Sequence, residues 1–173
     1  MSIYEASDDS YLLLRHVKSY AKGRILDLGS GSGIIAEECL KYSSNVTAAD
    51  ISEEAIEYLV SKFGNKITII RSDLFSNIAG KYDVIFFNPP YLPEEGQFDI
   101  ALDGGKKGYE LIFRFLKEVK NHLKTNGKIL MVFSSFTKKE KVDKKLRDLK
   151  FEHTQIAVEN LFFEKLYLYK INF

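Results

Sequence analysis

The sequence predicts an α/β domain built on a mostly parallel sheet. Three observations carry that expectation. Short apolar runs alternate with longer helical stretches along most of the chain, and a glycine-rich turn joins the first run to the helix after it. The last two β-rich stretches follow one another with no helix between them. Strands separated by helices imply βαβ units with right-handed crossovers, whereas two strands in direct succession imply an antiparallel pair.

Taken in order, a helix is expected near Ser10–Tyr20, before the first strand. "RILDL" (24–28) reads as a buried strand and "GIIAEECLKY" (33–42) as the helix after it. "NVTAAD" (45–50) is a second strand, followed by the helix "SEEAIEYLVSKF" (52–63). Ser52 heads that helix, with acids in its first turn where the macrodipole favours them. "KITIIRSD" (66–73) and "YDVIFF" (82–87) are the third and fourth strands. After a long loop, "YELIFRFLKEVKNHL" (109–123) repeats apolar residues every three and four positions, an amphipathic helix. "GKILMVFSS" (127–135) is a fifth strand and "KKEKVDKKLRDLK" (138–150) a basic helix. "FEHTQIAVEN" and "FEKLYLYKINF" then pair as the closing hairpin.

Composition bounds the function. The 173 residues suit one domain, 1–173, able to bury a full core. A net charge of +1 offers no global field for nucleic acid or a membrane surface. The basic helix at 138–150 is expected to present a solvated face. "MSIYEASDDS" lacks the pattern of a signal peptide, and runs such as "ILMVF" (129–133) fall far short of a membrane span. Cys39 has no partner for an internal disulfide, which fits a cytoplasmic location. It reads as a core residue. His16, His122 and His153 are scattered singly, and no Cys or His pair has metal-ligand spacing.

"DLGSGSG" (27–33) is the first chemical signal. Gly29, Gly31 and Gly33 permit a sharp turn and close approach of a ligand to backbone. The helix start behind them supplies free N–H groups. A dinucleotide fingerprint requires G-x-G-x-x-G, but position 34 is Ile, and no phosphate-binding Lys-Ser/Thr pair follows. The alternating D-x-G-x-G-x-G form is similar to that of S-adenosylmethionine-dependent methyltransferases. Asp50, ending the second strand, can accept both ribose hydroxyls; its alternative role is a helix cap. Asp73, after the third strand, is placed to receive the adenine amino group, with Leu74 beside the ring.

The second signal is "NPPY" (88–91). All three prolines of the chain, Pro89, Pro90 and Pro93, lie within 84–93. Ligands of open α/β sheets bind beyond the carboxyl ends of strands, so this stiff turn projects into the donor's space. The Asn88 side-chain oxygen and the Pro89 carbonyl are both acceptors and together can receive both hydrogens of a planar –NH₂. Drawing both N–H bonds toward acceptors favours a pyramidal nitrogen whose lone pair can attack a methyl carbon. Tyr91 offers a flat face to the target.

With these segments in view, the chain resembles the HemK-like protein-glutamine methyltransferases of the short archaeal and eukaryotic type. "NPPY" is shared with enzymes that methylate amino groups of adenine in DNA, guanine in ribosomal RNA and glutamine in release factors. "YEASDDSYLLL" (4–14) looks like the family's opening and "ALDGGKKG" (101–108) like its "GG..G" segment. No residues are spare for a DNA target-recognition domain, and the helical domain of bacterial members is not expected here. The resemblance implies a Rossmann-like class I fold with strand order 3-2-1-4-5-7-6. It implies methyl transfer from S-adenosyl-L-methionine to the glutamine side-chain amide of the GGQ tripeptide in a class I peptide release factor. Carried over, Asp9, Ser10, Asp27, Gly29, Ser30, Gly31, Ser32, Gly33, Asp50, Ile51, Asp73, Leu74 and Asn88 would bind the cofactor. Asn88, Pro89, Pro90 and Tyr91 would bind the glutamine and carry the catalysis. Ala6 departs from the family's proline and loosens that loop; Ser7 or Asp9 could instead cap the first helix. Short members also resemble enzymes stabilised by a small zinc-binding activator that adds a strand to the sheet edge, here 67–70. That edge is flanked by only Lys66 and Arg71. The competing reading is an amino-group methyltransferase of RNA or DNA.

Overall fold

The computed structural model describes residues 6–90 and 108–173. Tyr91, Pro93, residues 4 and 5, and the 101–107 part of the glycine-rich segment lie outside the described residues. The elements run α1 (Asp8–Tyr20), β1 (Ile25–Leu28), α2 (Ile34–Cys39), β2 (Val46–Asp50), α3 (Glu53–Phe63), β3 (Thr68–Arg71) and β4 (Tyr82–Phe87). They continue with α4 (Glu110–Glu118), β5 (Leu123–Ser134), α5 (Lys139–Asp148), β6 (Glu152–Asn160) and β7 (Lys165–Asn172). The sheet has the order β3-β2-β1-β4-β5-β7-β6. Neighbours from β3 to β5 are parallel, and β7 is antiparallel to both β5 and β6.

The central strands read as unbroken apolar runs because both faces of the sheet are covered. Alternate residues serve opposite cores. Ile85, Phe87, Ile129, Met131 and Phe133 pack with Ile112, Phe115, Val142 and Leu146 of α4 and α5. Val84, Phe86, Leu130 and Val132 pack with Leu13 and Val17 of α1, Ile35 of α2 and Leu59 of α3. Cys39 is fully buried in this second core, as a small hydrophobe. No helix of the described residues is long and apolar enough to cross a membrane. Nor do they hold a group of three or more His, Cys, Asp or Glu suited to a metal ion.

Several boundaries differ from expectation, each for a physical reason. The helix expected over 33–42 spans only Ile34–Cys39, since Gly33 sits at φ +70° as its N-cap, outside helical space. The amphipathic segment expected as one helix over 109–123 is α-helical only to Glu118. It then tightens into a 3₁₀ turn at Val119–His122, and Leu123 already pairs with Tyr82 in the sheet. β5 therefore begins four residues earlier than its apolar run, with Asn126 at φ +65° inside it. In the basic helix, Lys139 and Lys144 are each bonded to an acid one turn on, Asp143 and Asp148, both at 2.7–2.8 Å. That is how a solvated charged face is organised.

Candidate active site

The carboxyl ends of β1, β2 and β4 lie side by side, and the sequence-predicted residues converge there. Gly29 N and Ser30 N both donate to Ala49 O of β2, at 2.8 and 3.0 Å, turning the chain sharply off β1. The Ser30 hydroxyl donates to Asp27 O at 2.7 Å and accepts from Ala49 N at 3.1 Å. It is committed to the backbone and staples the turn. Gly31 N donates to Asp50 Oδ2 at 2.8 Å, and Ser52 N donates to Asp50 Oδ1 at 2.9 Å. Each carboxylate oxygen keeps a second acceptor site for a diol hydroxyl. Asp50 is not the helix cap: Ser52 caps α3, its Oγ accepting from Ala55 N at 3.3 Å. The three glycines do different work. All have positive φ, but a Cβ on Gly33 would strike Leu59 and Phe63 of α3, whereas one on Gly29 would meet only Asn88 O at 3.9 Å. Gly33 is small to let helices pack, and Gly29 leaves open the space in front of β4. Ser32 is half-buried, and its carbonyl accepts from Lys62 Nζ at 3.0 Å.

Asp27 is buried beneath this turn, with Oδ2 accepting from Ala36 N in the first turn of α2 at 3.0 Å. Burial pushes its carboxyl up from 3.8 to about 7, against the opposing pull of the Ala36 hydrogen bond. A carboxyl whose folded pKa lies above its unfolded value contributes stability that is complete below pH 4 and is lost as pH rises through 7. Asp27→Asn, which keeps the acceptor and removes the charge, is therefore expected to outlast the parent most clearly above neutrality. In thermal melts of the donor-free protein, the gap in midpoint between variant and parent should widen from pH 5 to pH 8. A constant gap would contradict the burial account.

The acceptor end of the site depends on a chain of hydrogen bonds that the sequence does not display. Asp9 is buried one residue into α1, and its Oδ1 accepts from both Ser10 N and Ser10 Oγ, the latter at 3.2 Å. Ser7, not Asp9, occupies the N-cap position of α1. Because a carboxylate only accepts, the Ser10 hydroxyl spends its proton on Asp9 and must itself accept from Asn88 Nδ2, at 3.3 Å. That fixes which way the Asn88 amide faces. Its Oδ1 is buried and has no hydrogen-bond partner among the described residues. A buried acceptor left unmet costs about 1–3 kcal/mol, so this atom calls for a donor that the described residues do not supply. Pro89 is buried and Pro90 half-buried behind it.

On the nucleoside side, Ile51 is 41% exposed and Leu74 is buried at φ +46°. The Leu74 backbone is held there by Ser72 Oγ, which donates to its carbonyl at 2.8 Å. Asp73, expected to receive the adenine amino group, already has a partner. Its Oδ2 is paired at 2.8 Å with Arg114 of α4, 41 positions away in sequence. Arg114 is a site-proximal residue that sequence reasoning missed; its only signal is an exposed position on the otherwise apolar-striped helix.

An open parallel sheet in this strand order, with a glycine turn, an acid ending β2 and an acceptor-bearing turn ending β4, defines a class I S-adenosylmethionine-dependent methyltransferase. The model of the methyltransferase small domain family matches residues 4–164. A provisionally named protein N5-glutamine methyltransferase of Methanocaldococcus jannaschii is 37% identical over 95% of this chain and 88% of its own length. The chain belongs to the methyltransferase small domain family and, within it, to the HemK-like protein-glutamine methyltransferases. A release factor glutamine methyltransferase of Streptococcus pneumoniae is 33% identical over 62% of this chain, and the match spans 44% of that longer protein. The ribosomal RNA small subunit methyltransferase C of Haemophilus influenzae is 31% identical over 78% of this chain, spanning 39% of its length. Among solved structures, the E. cuniculi Mtq2–Trm112 complex responsible for methylation of the termination factor eRF1 superposes with TM-score 0.82. It is 26% identical, covering 99% of this chain and 98% of that one.

The residues fit the donor on two observations of this structure. The space in front of Gly29 is open, with only Asn88 O within 4 Å of an added Cβ, and Asn88 carries a buried acceptor unmet among the described residues. Asp50, the Gly29–Gly33 turn, Asp73 and Leu74 would hold the donor, which supplies an electrophilic methyl group.

Proposed function

We propose that this enzyme methylates the side-chain amide nitrogen of the glutamine in the GGQ motif of a class I peptide release factor. The carrying observation is Asn88 Oδ1, buried without a hydrogen-bond partner among the described residues, held in one orientation by Ser10 and backed by two prolines. Asn88 Oδ1 and the Pro89 carbonyl receive the two amide hydrogens, weakening conjugation of the nitrogen with its carbonyl and turning its lone pair outward. By the family resemblance, Tyr91 would offer its ring face to the target amide. No general base is needed first, because the nitrogen surrenders its proton to water readily once it is alkylated and cationic. Alignment of this kind is worth about 7–11 kcal/mol at best.

The partner reading extends this. A small zinc-binding activator protein would add a strand along β3, the open parallel edge at 67–70. Residues 68–71 there are only half-buried or exposed. The opposite edge, β6, carries Glu152 and Glu159 and a register shift between Gln155 and Ala157, the devices by which sheets discourage pairing. We read the chain as a single-domain cytoplasmic enzyme.

A base amino-methyltransferase is the second reading, favoured by the ribosomal RNA methyltransferase relatives. It is disfavoured by the net charge of +1 and by the self-paired lysines of α5. The decisive experiment offers labelled methyl donor with purified release factor, its GGQ→GGA variant, RNA and DNA in separate reactions. Label is expected on the release factor alone and absent from the GGA variant; label on RNA or DNA but not on the factor defeats the proposal.

A further inference from the structure

Phe162 and Phe163, at the turn between β6 and β7, are 92% and 83% exposed, while the next most exposed aromatic among the described residues, Tyr11, is at 46%. Their rings meet edge to face at 4.4 Å. The turn that carries them is anchored. Leu161 N donates to Glu164 O at 2.8 Å, Lys165 N donates to Ser135 Oγ at 3.1 Å, and Leu161 packs on the α1 side of the core. Glu159, just below, is ion-paired with Arg15 of α1. Two large rings on a braced turn are an apolar patch that soluble proteins keep for contact with another molecule.

The sheet register places this tip relative to Asn88. Phe87 of β4 lies level with Met131, Ser134 lies level with Leu166, and Lys165 pairs with Asn160. The tip thus rises on the same carboxyl-end face as Asn88, about 13 Å higher along the strands and about 12 Å to the side, or roughly 18 Å away. We propose that Phe162 and Phe163 dock the folded protein that carries the target glutamine, at an apolar patch bordered by a Lys or Arg. This rests on the protein-amide reading above. Glycine-rich residues around a target glutamine offer little surface, so affinity must come from elsewhere on the substrate.

The chemistry of the tip selects this occupant. The stretch 159–164, "ENLFFE", contains two acids and no base. Glu159 is met by Arg15, but Glu164 Oε1 is buried and has no hydrogen-bond partner among the described residues. The Glu164 carboxylate as a whole is half-buried beside the rings, a negative charge that favours a cation at the border of the partner's patch. With Glu159 met by Arg15 and Glu164 followed by Lys165, the tip carries no net positive charge to hold a phosphate backbone, and a two-fold contact with a second copy would bring like carboxylates together.

The test compares the enzyme with its F162S/F163S variant on two substrates, intact release factor and a short peptide spanning its GGQ tripeptide. Both positions are solvent-facing, so the variant should fold normally, with a thermal midpoint near that of the parent. With intact factor, kcat/KM is expected to fall at least about tenfold, through KM, as for loss of an aromatic interface anchor. On the peptide it should stay unchanged. Equal losses on both substrates, or no loss on intact factor, overturn the proposal. So does a parent dimer that the variant converts to monomer in sedimentation. A parent enzyme that methylates neither substrate fails earlier, removing the amide reading along with the dock.

Discussion

Asn88→Ala is expected to lower the single-turnover rate of methyl transfer at saturating donor by at least about a thousandfold, with donor affinity changed only severalfold. Asn88 is half-buried and its Oδ1 makes no hydrogen bond among the described residues. Folding therefore loses little when it is removed, and an unmet buried acceptor disappears with it. The rate suffers because the target nitrogen loses the acceptor that orients it. Ser10→Ala tests the same device at one remove. Without the hydroxyl that accepts from Nδ2, the Asn88 amide can turn over and present its NH₂ to the substrate. The rate should fall about tenfold, since an amide free to rotate spends much of its time wrongly presented. Stopped-flow or quenched turnover with labelled donor, alongside calorimetric titration of the donor product, separates these effects. Full turnover in Asn88→Ala with intact donor binding would remove Asn88 from the chemistry.

Gly33→Ala and Gly29→Ala should behave oppositely, although both glycines sit at φ +70°. At Gly33 the new methyl would stand 2.6 Å from Leu59 Cδ2 and 2.7 Å from Phe63 Cε2. Those side chains are 0% and 5% exposed and have nowhere to go. Overpacking and left-handed strain together should destabilise by about 2–4 kcal/mol, a fall in thermal midpoint of roughly 8 °C for a chain of this size. At Gly29 the nearest atom is 3.9 Å away, so only the strain of about 1–2 kcal/mol remains. Its methyl group would instead occupy the donor's space, and donor affinity should fall about a hundredfold or more. Melting curves and donor titrations of the two variants decide the matter. A strongly destabilised Gly29→Ala with normal donor affinity would reverse the assignment.

The strand order came with the family resemblance, whereas the succession of strands and helices and the location of the glycine turn, Asp50 and the Asn-Pro-Pro turn were legible in the chain. Each is written locally: buried parallel strands as apolar runs, turns as glycine and proline, helix starts as Ser52 and its acids. The helix expected over 109–123 misled because amphipathic spacing records which face is apolar. It does not record that the segment's last residue, Leu123, finds a better place beside Tyr82 in the sheet. That the Ser30 hydroxyl bonds both Asp27 O and Ala49 N could not be read from its place in the motif, because Ala49 lies on another strand.

By itself, then, the chain determined its fold class, its family and the kind of nitrogen it is shaped to receive. Those properties reside in short-range periodicity and in residue types at fixed spacing. Only the tertiary structure decided that Ser10 orients Asn88 from 78 positions away, that Arg114 holds Asp73, and that Gly33 serves packing. Each of these depends on where distant segments meet, and hydrogen-bond direction and steric room exist only after the sheet has brought them together.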